Sequence, residues 1–451
     1  MRNARESGDG RYRHSEGAWV LAHKVLELGF NILTLKVLTT LMRGAPSAYG
    51  EFNLALTATV LIANVILLPV NQAYLRGYHT ATSNRTLPRM TSVLMRWYAW
   101  ATVAVAVVAA IWTRPIAAYF GLEPWTPLAT GLVFLTNRWR LLGIEVMEVA
   151  RERRAWTLTN VTFLAAQSVA VAAVALYWRA SASGALLAYG VTAGLFAIFS
   201  VSRFSRVAGE AGAGDGDGRF GGLIVSYGIP AALLLLLQAV QSFADRYILG
   251  MWASLEVVGR YVAAYQVSGV PYMFLMGALQ ALCVPIAFQR AQDVDDPRQT
   301  WAGDRVILFS VLAYTVLGLL ALGAFMLWGE QVLRLSTAAE FAVPWSVLVV
   351  LAAGRFLQGF SLLLQNFFAV HQMMTASLGF RSVGAALTVP ICWIFIRSGG
   401  MYGAAVASAV SVTLYGLIVS FGPGGCFWLV RDTRRRRAPA RLPLVATESA
   451  A

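Results

Sequence analysis

Long runs of apolar residues alternate with short polar segments along the whole chain. A run of about 18 or more mostly apolar residues is long enough, as an α-helix, to cross the roughly 30 Å hydrocarbon layer of a membrane. The pattern therefore predicts an all-α integral membrane protein with about twelve transmembrane helices. The predicted spans are 17–42, 51–74, 94–113, 126–148, 156–178, 184–203, 222–246, 257–288, 305–328, 342–369, 378–397 and 401–430.

The positions of Lys and Arg give this pattern an orientation. Of the 36 basic residues, 24 fall in segments on the side of the N-terminus, 7 on the opposite side and 5 within spans. Cytoplasmic segments of membrane proteins carry an excess of Lys and Arg. We therefore predict an even number of helices with both termini in the cytoplasm. This assignment counts Arg381 with the cytoplasmic segments.

The chain divides into two halves of six predicted helices. The longest polar connection is rich in Gly and Asp, as in flexible linkers. "LMRGAPSAYGEFNLAL" after the first helix resembles "ILGMWASLEVVGRYVAAY" after the seventh, and such duplication indicates a transporter with a site between two bundles. The predicted parts are a cytoplasmic segment 1–16, an N-terminal bundle 17–204, a linker 205–221, a C-terminal bundle 222–430 and a basic cytoplasmic tail 431–451.

Composition narrows the possible functions. The chain is 58% hydrophobic and 13% charged, with a mean hydropathy of +0.61, whereas soluble proteins carry about a quarter charged residues. The net charge of +14 does not indicate nucleic-acid binding, because the basic residues lie between apolar runs. The three cysteines fall inside apolar runs, at spacings that suit neither a metal site nor a disulfide framework. We expect no catalytic residue, metal or cofactor, since no P-loop or metal motif is present in the sequence.

Several charged residues lie within the predicted spans. A charge at the centre of a bilayer costs about 2.5–3.5 kcal/mol on insertion scales, so such residues usually face protein or a water-filled cavity. Pairing within one helix is the structural alternative, by Lys24 with Glu27 and by Arg138 with Glu145. The candidates are Lys24 and Glu27 in the first helix, Arg138 and Arg140 in the fourth, and Arg355 in the tenth.

Uncharged polar residues form stripes on four of the predicted helices. Spacings of three, four and seven residues place side chains on one helix face. A polar stripe would be costly against lipid, so these faces line a cavity or hydrogen-bond to neighbouring helices. Besides Lys24 and Glu27, the stripes contain Asn31; Asn53, Thr57, Asn64 and Asn71; Gln238 and Gln241; and Tyr261 and Tyr265.

Two segments carry a resemblance to a known family. "YGIPAALLLLLQAVQSFADRYILGMWASLEVVGRYVAAYQV" (227–267) resembles the hallmark region of polysaccharide flippases of the O-antigen (Wzx) type. In that region Gly-x-Pro, an apolar helix, Asp-Arg-aromatic-x-Leu-Gly and Val-Gly-x-Tyr follow one another. "AYGEFNLALTATVLIANVILLPVNQAYLR" (48–76) is similar to the corresponding first-half region. The family belongs to a superfamily shared with lipid II flippases and multidrug antiporters.

The resemblance implies both an architecture and a function. It implies two six-helix bundles related by a pseudo-two-fold repeat, in a V shape, with a cationic central cavity lined by the first, second, seventh and eighth helices. It also implies alternating access that moves an undecaprenyl-diphosphate-linked oligosaccharide between the leaflets of the bacterial inner membrane. The expected partners are this lipid-linked glycan, the bilayer, a polysaccharide polymerase and chain-length proteins, and we expect a monomer.

On this hypothesis, basic side chains bind the diphosphate, because charge-assisted hydrogen bonds offset the removal of its charges from water. We assign this role to Arg355, Lys24, Arg138 and Arg140, and cavity lining to the polar stripes.

Asp245 and Arg246 lie at the outer end of the seventh predicted helix. For these two residues and Arg260 we expect an outer gate or a lobe-packing role. In this interpretation Asp245 faces the cavity mouth and pairs with Arg260.

Two other functions stay open. A multidrug or cation antiporter of the same superfamily needs a buried acidic residue for coupling, but basic residues outnumber acidic ones at membrane depth, which favours an anionic substrate. A membrane-embedded polysaccharide polymerase or ligase usually needs a substantial external loop, and the predicted external loops are short and contain no His. We therefore expect a transporter and not an enzyme.

Overall fold

The computed structural model describes residues 3–150, 152–177, 181–209, 218–291 and 296–437, and these residues are almost entirely helical. The helices of the first half are α1 (Asn3–Leu41), α2 (Pro46–Ile66), α3 (Leu68–Ser83), α4 (Leu87–Phe120), α5 (Thr126–Val149), α6 (Arg153–Tyr177) and α7 (Ala182–Gly209). Those of the second half are α8 (Gly218–Leu223), a π turn (Ile224–Gly228), α9 (Ile229–Trp252), α10 (Leu255–Arg290), α11 (Pro297–Ser336), a 3₁₀ turn (Ala339–Phe341), α12 (Trp345–Leu364), α13 (Asn366–Val370), α14 (Met374–Phe421) and α15 (Cys426–Arg437).

Nine segments of the described chain are helical, long and apolar enough to cross a membrane. One of them, Thr375–Arg434, holds two long helices, because α14 is broken at Gly400, where φ is 52° and ψ is −128°. The helices α1 and α5 are long as well, and each carries charged residues that lower its hydropathy. Together these make about twelve long helices. The prediction of an all-α multi-pass membrane protein is confirmed.

Several helix boundaries follow from local chemistry. The break between α2 and α3 lies beside Pro69, which has no N–H to continue the helical hydrogen bonds. At the start of α10 the Ser254 hydroxyl accepts a hydrogen bond from the backbone N–H of Val257 at 3.4 Å. At the start of α11 the Asp296 carboxylate accepts from the N–H of Arg298 at 2.8 Å. Such caps satisfy backbone donors that have no partner within the helix.

The helices pack into two bundles, as predicted. In the N-terminal bundle α5 packs on α7 and α4, and α6 packs on α1 and α7. In the C-terminal bundle α14 packs on α9 and α12, and α10 packs on α11 and α12. The bundles meet along α2, which contacts α10 and α9, along α3, which contacts α9 and the π turn, and along α1, which contacts α10.

Where α2 and α10 begin, the bundles touch backbone to backbone. A Cβ atom on Gly50 would lie 2.2 Å from the carbonyl oxygen of Leu255, and one on Gly259 would lie 2.0 Å from that of Pro46. Only glycine allows so close an approach. Both glycines belong to the two segments that echo each other in the sequence. We call this end of the molecule, where α2 and α10 begin, the closed end, and the opposite one the open end.

Hydrogen bonds add to the contact at the closed end. The Lys36 ammonium of α1 donates to the carbonyls of Thr337 at 2.6 Å and Arg334 at 3.1 Å. The backbone N–H of Ala338 donates to the Thr39 hydroxyl at 3.2 Å. These bonds tie the last turns of α1 to the segment that follows α11, so they join one bundle to the other.

The buried apolar side chains show the same difference between the two ends. One cluster at the closed end includes side chains of both bundles, such as Leu38, Phe52, Val262 and Phe341. Towards the open end, one cluster lies in the N-terminal bundle with α8 packed on it, and another lies in the C-terminal bundle. The bundles therefore share a core at the closed end and have separate cores at the open end.

Three boundaries differ from the predicted ones or extend beyond the described residues. The helix α1 begins at Asn3, so most of the predicted segment 1–16 continues the first helix. The predicted linker is helical at both ends, up to Gly209 and from Gly218, and residues 210–217 lie outside the described residues. The predicted tail begins within α15, and residues 438–451 also lie outside them.

Candidate functional site

A cavity of about 590 Å³ lies between the two bundles. Its walls come mainly from α1, α2 and α10, with Gln167 of α6, Arg246 of α9 and Arg355 of α12. The structure brings together here the predicted site residues Lys24, Glu27, Asn31, Asn53, Tyr265 and Arg355.

The centre of this cavity holds two guanidinium groups on one tyrosine. The Cζ atoms of Arg246 and Arg355 lie 4.6 Å and 4.5 Å from the centroid of the Tyr265 ring. Arg355 also donates from Nη1 to the Tyr265 hydroxyl at 2.9 Å and to Gln358 Oε1. Cation–π contact and these hydrogen bonds hold two like charges close together. We call Arg246, Arg355 and Tyr265 the arginine cluster.

Among the described residues, neither guanidinium of the arginine cluster is paired directly with an acid. In the part of the chain that the structure describes, no carboxylate oxygen lies within 4.0 Å of either group, and both Nε atoms are buried without a hydrogen-bond partner. Asp245 is close enough to act electrostatically on both. One carboxylate offsets one of two positive charges, so the cluster favours an anionic ligand.

A glycine makes room for the arginine cluster. A Cβ atom on Gly269 of α10 would lie 2.5 Å from Arg355 Nε. The absence of a side chain there lets the guanidinium lie against the α10 backbone and over the Tyr265 ring.

A third basic group lies further along the cavity on α1. The Lys24 ammonium forms an ion pair with Glu27 Oε2 at 2.8 Å, and His23 Nε2 lies 3.6 Å from the same oxygen. Lys24 also extends across to α10, where its Cε would lie 3.8 Å from a Cβ atom on Gly277. The predicted pairing within α1 is present, and both Lys24 and Glu27 line the cavity.

The wall on α2 is a network of amides and a tyrosine. The Tyr49 hydroxyl donates to Gln266 Oε1 at 3.0 Å, and Gln266 Nε2 donates to Asn53 Oδ1 at 3.0 Å. This network links α2 to α10 across the two bundles. Gln266 was missed by the sequence analysis because it adjoins Tyr265 and does not share the face of the tyrosine stripe.

A second cavity of about 320 Å³ adjoins the first within the C-terminal bundle. The two share Met276 and Gln280. Amide side chains dominate its polar wall, which contains Gln238, Gln280, Gln365 and Asn366. Amides can donate and accept hydrogen bonds, as a sugar hydroxyl requires. Of these four residues, only Gln238 is among the predicted cavity residues.

A larger groove of about 930 Å³ lies elsewhere, in the N-terminal bundle near the closed end. It is formed by α4, α5 and α7, and its lining is largely apolar. Its one charged side chain, Glu123, accepts a hydrogen bond from the Ser183 hydroxyl at 2.5 Å. The groove lacks the converging polar groups of the central cavity.

Two predicted diphosphate ligands do not reach the central cavity. Arg140 donates to Asn137 Oδ1 at 3.0 Å and Asn160 Oδ1 at 3.4 Å, and its Cζ lies 3.7 Å from the centroid of Phe163. Arg138 lies within electrostatic reach of Glu145, also on α5. Both arginines therefore belong to the interior of the N-terminal bundle. Helical periodicity had given their position along α5, but not the element that their side chains meet.

The predicted pairing of Asp245 with Arg260 is wrong. Asp245 is 3% exposed, accepting from the Tyr261 hydroxyl at 2.5 Å and from the N–H of Arg246 at 2.8 Å. Arg260 pairs with Glu256 at 2.5 Å, one turn away on α10. Asp245 is therefore buried under the cavity wall and does not face the cavity mouth. Arg246, for which we expected a gate or packing role, lines the cavity.

Three polar residues of the α2–α3 stripe contact other helices. Thr57 shares a hydrogen bond of 2.9 Å with the Tyr247 hydroxyl, and Asn64 Nδ2 donates to the carbonyl of Leu235 at 3.1 Å, both on α9. Asn71 Nδ2 donates to the carboxylate of Glu145 on α5. For these residues the structure agrees with the alternative of hydrogen bonds between helices.

Arg381 is a residue whose position the sequence analysis misjudged. It is 5% exposed and donates to Gln241 Oε1 at 3.0 Å and to Gln365 Oε1. Its Cζ lies 4.9 Å from the centroid of Tyr415. Arg381 therefore lies inside the C-terminal bundle and not in a cytoplasmic segment. Its position within the predicted span 378–397 was the signal that could have revealed this.

Comparison with known proteins gives a likeness in structure but not in sequence. No protein-family model matches the chain, and no curated protein matches it in sequence. An inward-facing multidrug resistance MATE family transporter of the MOP superfamily is similar with a TM-score of 0.65 and 13% identity, over 93% of this chain and 96% of that chain. An outward-facing one gives 0.65 and 12% identity, over 93% and 95%.

A third similar structure is that of a MOP superfamily transporter from Pyrococcus furiosus, in which reverse polarity of the binding pocket suggests a different function. Its TM-score is 0.59 at 14% identity, over 93% of this chain and 94% of that one. At such identities the likeness shows the fold alone. The chain has the fold of the MATE transporters, with two helical bundles, while its resemblance to O-antigen flippases stays a prediction.

Proposed function

We propose that the protein is a flippase that moves a polyprenyl-diphosphate-linked oligosaccharide across the bacterial cytoplasmic membrane by alternating access. The observation that carries the proposal is the arginine cluster. Two guanidiniums share one tyrosine ring between the bundles, and no carboxylate oxygen lies within 4.0 Å of either among the described residues. A buried pair of like charges is costly unless something of opposite sign offsets it.

A lipid diphosphate suits this arrangement. It brings two to three negative charges, which must be shielded while they cross a layer of low dielectric constant. Guanidinium groups form short, charge-assisted and often bidentate hydrogen bonds to phosphate oxygens. Arg246 and Arg355 both line the cavity, so their guanidinium groups are suited to this role. Lys24, paired with Glu27, lines the same cavity.

The remaining parts of such a substrate also find suitable surroundings. The amide side chains of the adjoining cavity can hydrogen-bond sugar hydroxyls in both directions. The lipid tail would stay in the bilayer and leave the cavity between α1 and α10, where Lys24 reaches across to Gly277. The diphosphate and the sugars would thus lie inside the cavity, and the hydrocarbon chain would lie outside it in the bilayer.

The two ends of the molecule support alternating access. With the predicted orientation, the closed end is periplasmic and the open end is cytoplasmic, so this conformation would receive substrate from the cytoplasmic leaflet. Release would require separation at Gly50 and Gly259 and approach of the bundles at the open end. The shared core at the closed end and the separate cores at the open end are compatible with such a rocking motion.

A multidrug antiporter is the second candidate, because transporters described as multidrug resistance proteins have this fold. Cationic drugs would need an acidic cavity. Here Glu27 is paired with Lys24, and Asp245 is buried beneath the arginine cluster. The polarity of the cavity therefore favours an anionic substrate, and the reverse polarity described for the transporter from Pyrococcus furiosus is a precedent for such variation within the fold.

The proposal is tested by reconstituting the purified protein in liposomes that contain a polyprenyl-diphosphate-linked oligosaccharide. Flipping is measured as the time course over which a glycosidase outside the liposomes gains access to the glycan. We expect wild-type protein to expose the glycan and Arg355→Ala to abolish exposure. Arg355→Lys should retain part of the activity, because it keeps the charge but not the bidentate geometry.

The matched control is Arg397→Ala, because Arg397 lies over Trp252 outside the cavity. Both variants remove one arginine, so their net charges are equal. Both variants must reach the same abundance in the liposomes. Normal flipping by Arg355→Ala would show that the arginine cluster does not hold the diphosphate. Export of cationic drugs without flipping would favour the antiporter.

A further inference from the structure

A small polar pocket lies inside the C-terminal bundle, apart from the central cavity. Its volume is about 20 Å³, and it lies between α9, α12 and the two parts of α14. That volume admits one particle about the size of a water molecule and excludes a phosphate group or a sugar. Its polar lining includes Gln241, Gln358, Ser361, Arg381, Thr388 and Tyr415.

Arg381 brings a positive charge to this pocket without a direct counter-charge. Its Nη groups donate to Gln241 and Gln365, both neutral amides, and its Nε is buried with no hydrogen-bond partner in the described part of the chain. Within the described ranges no carboxylate oxygen lies within 4.0 Å of the guanidinium, and the ionisable group that acts on it is the Tyr415 hydroxyl. A buried charge in a membrane protein is strongly unfavourable when nothing offsets it.

Tyr415 supplies a second buried donor without a partner. It is 4% exposed, and its hydroxyl has no hydrogen-bond partner among the described residues. A Cβ atom on Gly384 would lie 2.1 Å from Gln241 Nε2 and 2.5 Å from Tyr415 Cδ2. The glycine therefore lets both side chains lie against the α14 backbone and gives the pocket its shape.

Several other hydroxyls around the pocket have already used their protons. Ser361 donates to the carbonyl of Leu357 at 2.9 Å, and Thr388 donates to that of Gly384 at 2.8 Å. The Arg381 Nε–H and the Tyr415 O–H are buried donors without a partner among the described residues, and both need an acceptor. A cation would be repelled by Arg381. Water would satisfy the donors, whereas only an anion would also offset the charge.

We propose that this pocket binds one small monovalent anion, chloride, held by Arg381 and Tyr415. Bound chloride completes the link that Arg381 makes between α9, α12 and α14, so the stability of the C-terminal bundle depends on chloride. The site does not depend on the flippase proposal, because it is separate from the central cavity and its lining lacks Arg246 and Arg355.

The test is thermal unfolding of the purified full chain in detergent, with sodium chloride exchanged for sodium gluconate at constant ionic strength. A ligand that binds only the folded state raises the melting temperature in a concentration-dependent way. We expect the melting temperature to rise with chloride in wild type and in Arg355→Gln, which removes a cavity charge instead. Arg381→Gln should lose this dependence.

If Arg381→Gln does not fold, Tyr415→Phe provides the second variant. It removes one donor and keeps the ring beneath Arg381, so the chloride concentration for half-maximal stabilisation should rise about tenfold. Crystals grown in bromide should show an anomalous peak beside Arg381 Nε. The proposal is overturned if chloride and gluconate give equal melting temperatures, if Arg355→Gln abolishes the effect, or if the pocket shows only water in bromide crystals.

Discussion

The two bundles share one helical plan but treat their buried arginines differently. In the N-terminal bundle, Glu145 acts electrostatically on both Arg138 and Arg140, and Asn71 in turn binds Glu145. In the C-terminal bundle, Arg355 and Arg381 donate to tyrosine and glutamine oxygens.

The difference distinguishes arginines that contribute to packing from arginines that can bind a ligand. In each bundle one buried carboxylate acts on two arginines, Glu145 in the N-terminal bundle and Asp245 in the C-terminal bundle, but only the arginines beside Asp245, Arg246 and Arg355, line the cavity. An arginine that lines the cavity can offer its charge to an incoming anion, whereas one inside a bundle contributes to packing. The central cavity takes its two guanidiniums from the C-terminal bundle, whereas the N-terminal bundle contributes Lys24, which Glu27 already neutralises. The asymmetry predicts that anion recognition depends mainly on the C-terminal bundle.

The largest expected effect is the loss of affinity for a lipid diphosphate when an arginine of the C-terminal bundle is removed. Arg246→Ala removes a guanidinium from the cavity wall and should weaken binding of a lipid diphosphate by about 10- to 100-fold, because a hydrogen bond to a charged group contributes roughly 1.5–3 kcal/mol. The melting temperature should fall as well, because the variant removes a charge that acts on the buried Asp245. Affinity is measured by titrating purified protein with the lipid in detergent.

Arg140→Ala is the counterpart in the N-terminal bundle. It removes two hydrogen bonds and the contact with Phe163, so it should lower the free energy of unfolding by about 1–3 kcal/mol and leave the affinity unchanged. If both variants lose affinity equally, the proposed division between the bundles is wrong.

A second comparison concerns the glycines that the bundles contribute to the closed end. Gly50→Ala and Gly259→Ala each place a Cβ atom within about 2.2 Å of a backbone oxygen of the other bundle. Both should prevent full contact there and shift the population towards the conformation open at that end. The native cysteines Cys283, Cys392 and Cys426 are buried, so a single cysteine introduced at Leu56 can report accessibility to a water-soluble maleimide.

Labelling of that cysteine from the closed end should rise several-fold in either glycine variant. Gly323→Ala, with nothing within 4 Å of its Cβ position, is the matched control and should not change labelling. Equal labelling in all three variants would show that the glycine contact does not control access.

Much of the fold was predictable from sequence, because apolar runs of sufficient length specify membrane helices whatever their neighbours. The choice of partner for each polar face was not. Asn64 and Asn71 lie on the same stripe as Asn53, yet they meet α9 and α5 while Asn53 lines the cavity. Helical spacing defines a face, whereas crossing positions of helices decide what that face contacts.

Only part of the central site was predictable from the sequence. Arg355 stood out because no acidic residue was available within its helix, and it lies in the cavity. Arg246 was assigned to a gate because it follows Asp245 at a helix end in the sequence. In the structure α10 passes close enough to place Tyr265 against its guanidinium. That contact joins residues on two helices and has no signal in one sequence.

Tyr265 offers a smaller and more selective change in the C-terminal bundle. Tyr265→Phe keeps the ring under both guanidiniums but removes the hydroxyl that accepts from Arg355 at 2.9 Å. We expect affinity for a lipid diphosphate to fall by up to about tenfold, since Arg355 keeps its charge but loses part of its positioning. Tyr265→Leu should cost more, because it also removes the cation–π contacts. Equal losses in the two variants would show that the ring contributes nothing.

The smallest expected effect is at the open end of the N-terminal bundle. Arg203 donates to both oxygens of Glu152, at 2.8 Å and 2.6 Å, and this pairing lowers the pKa of the Glu152 carboxyl. A lowered folded-state pKa gives stability that is present above the unfolded-state pKa and is lost as pH falls through the folded-state pKa. Because the pair is partly exposed, Glu152→Gln should cost no more than about 1 kcal/mol at pH 7.

Melting temperatures of wild type and Glu152→Gln should therefore differ slightly at pH 7 and converge as the pH falls below the usual range of a glutamate. A difference in melting temperature that grows as the pH falls would contradict the predicted direction. The variant should leave lipid-diphosphate binding unchanged, since Glu152 lies outside the cavity.

The central claim is that the cavity recognises the charge of a lipid diphosphate through Arg246 and Arg355. The most direct measurement is the ratio of affinities of the purified protein for a polyprenyl diphosphate and for the uncharged polyprenol of the same length. We predict a ratio of about 100 or more in wild type, from two charge-assisted contacts, and a ratio near one in the Arg246→Ala/Arg355→Ala double variant. Equal affinity of wild type for the two lipids, or an unchanged ratio in the double variant, would contradict the claim.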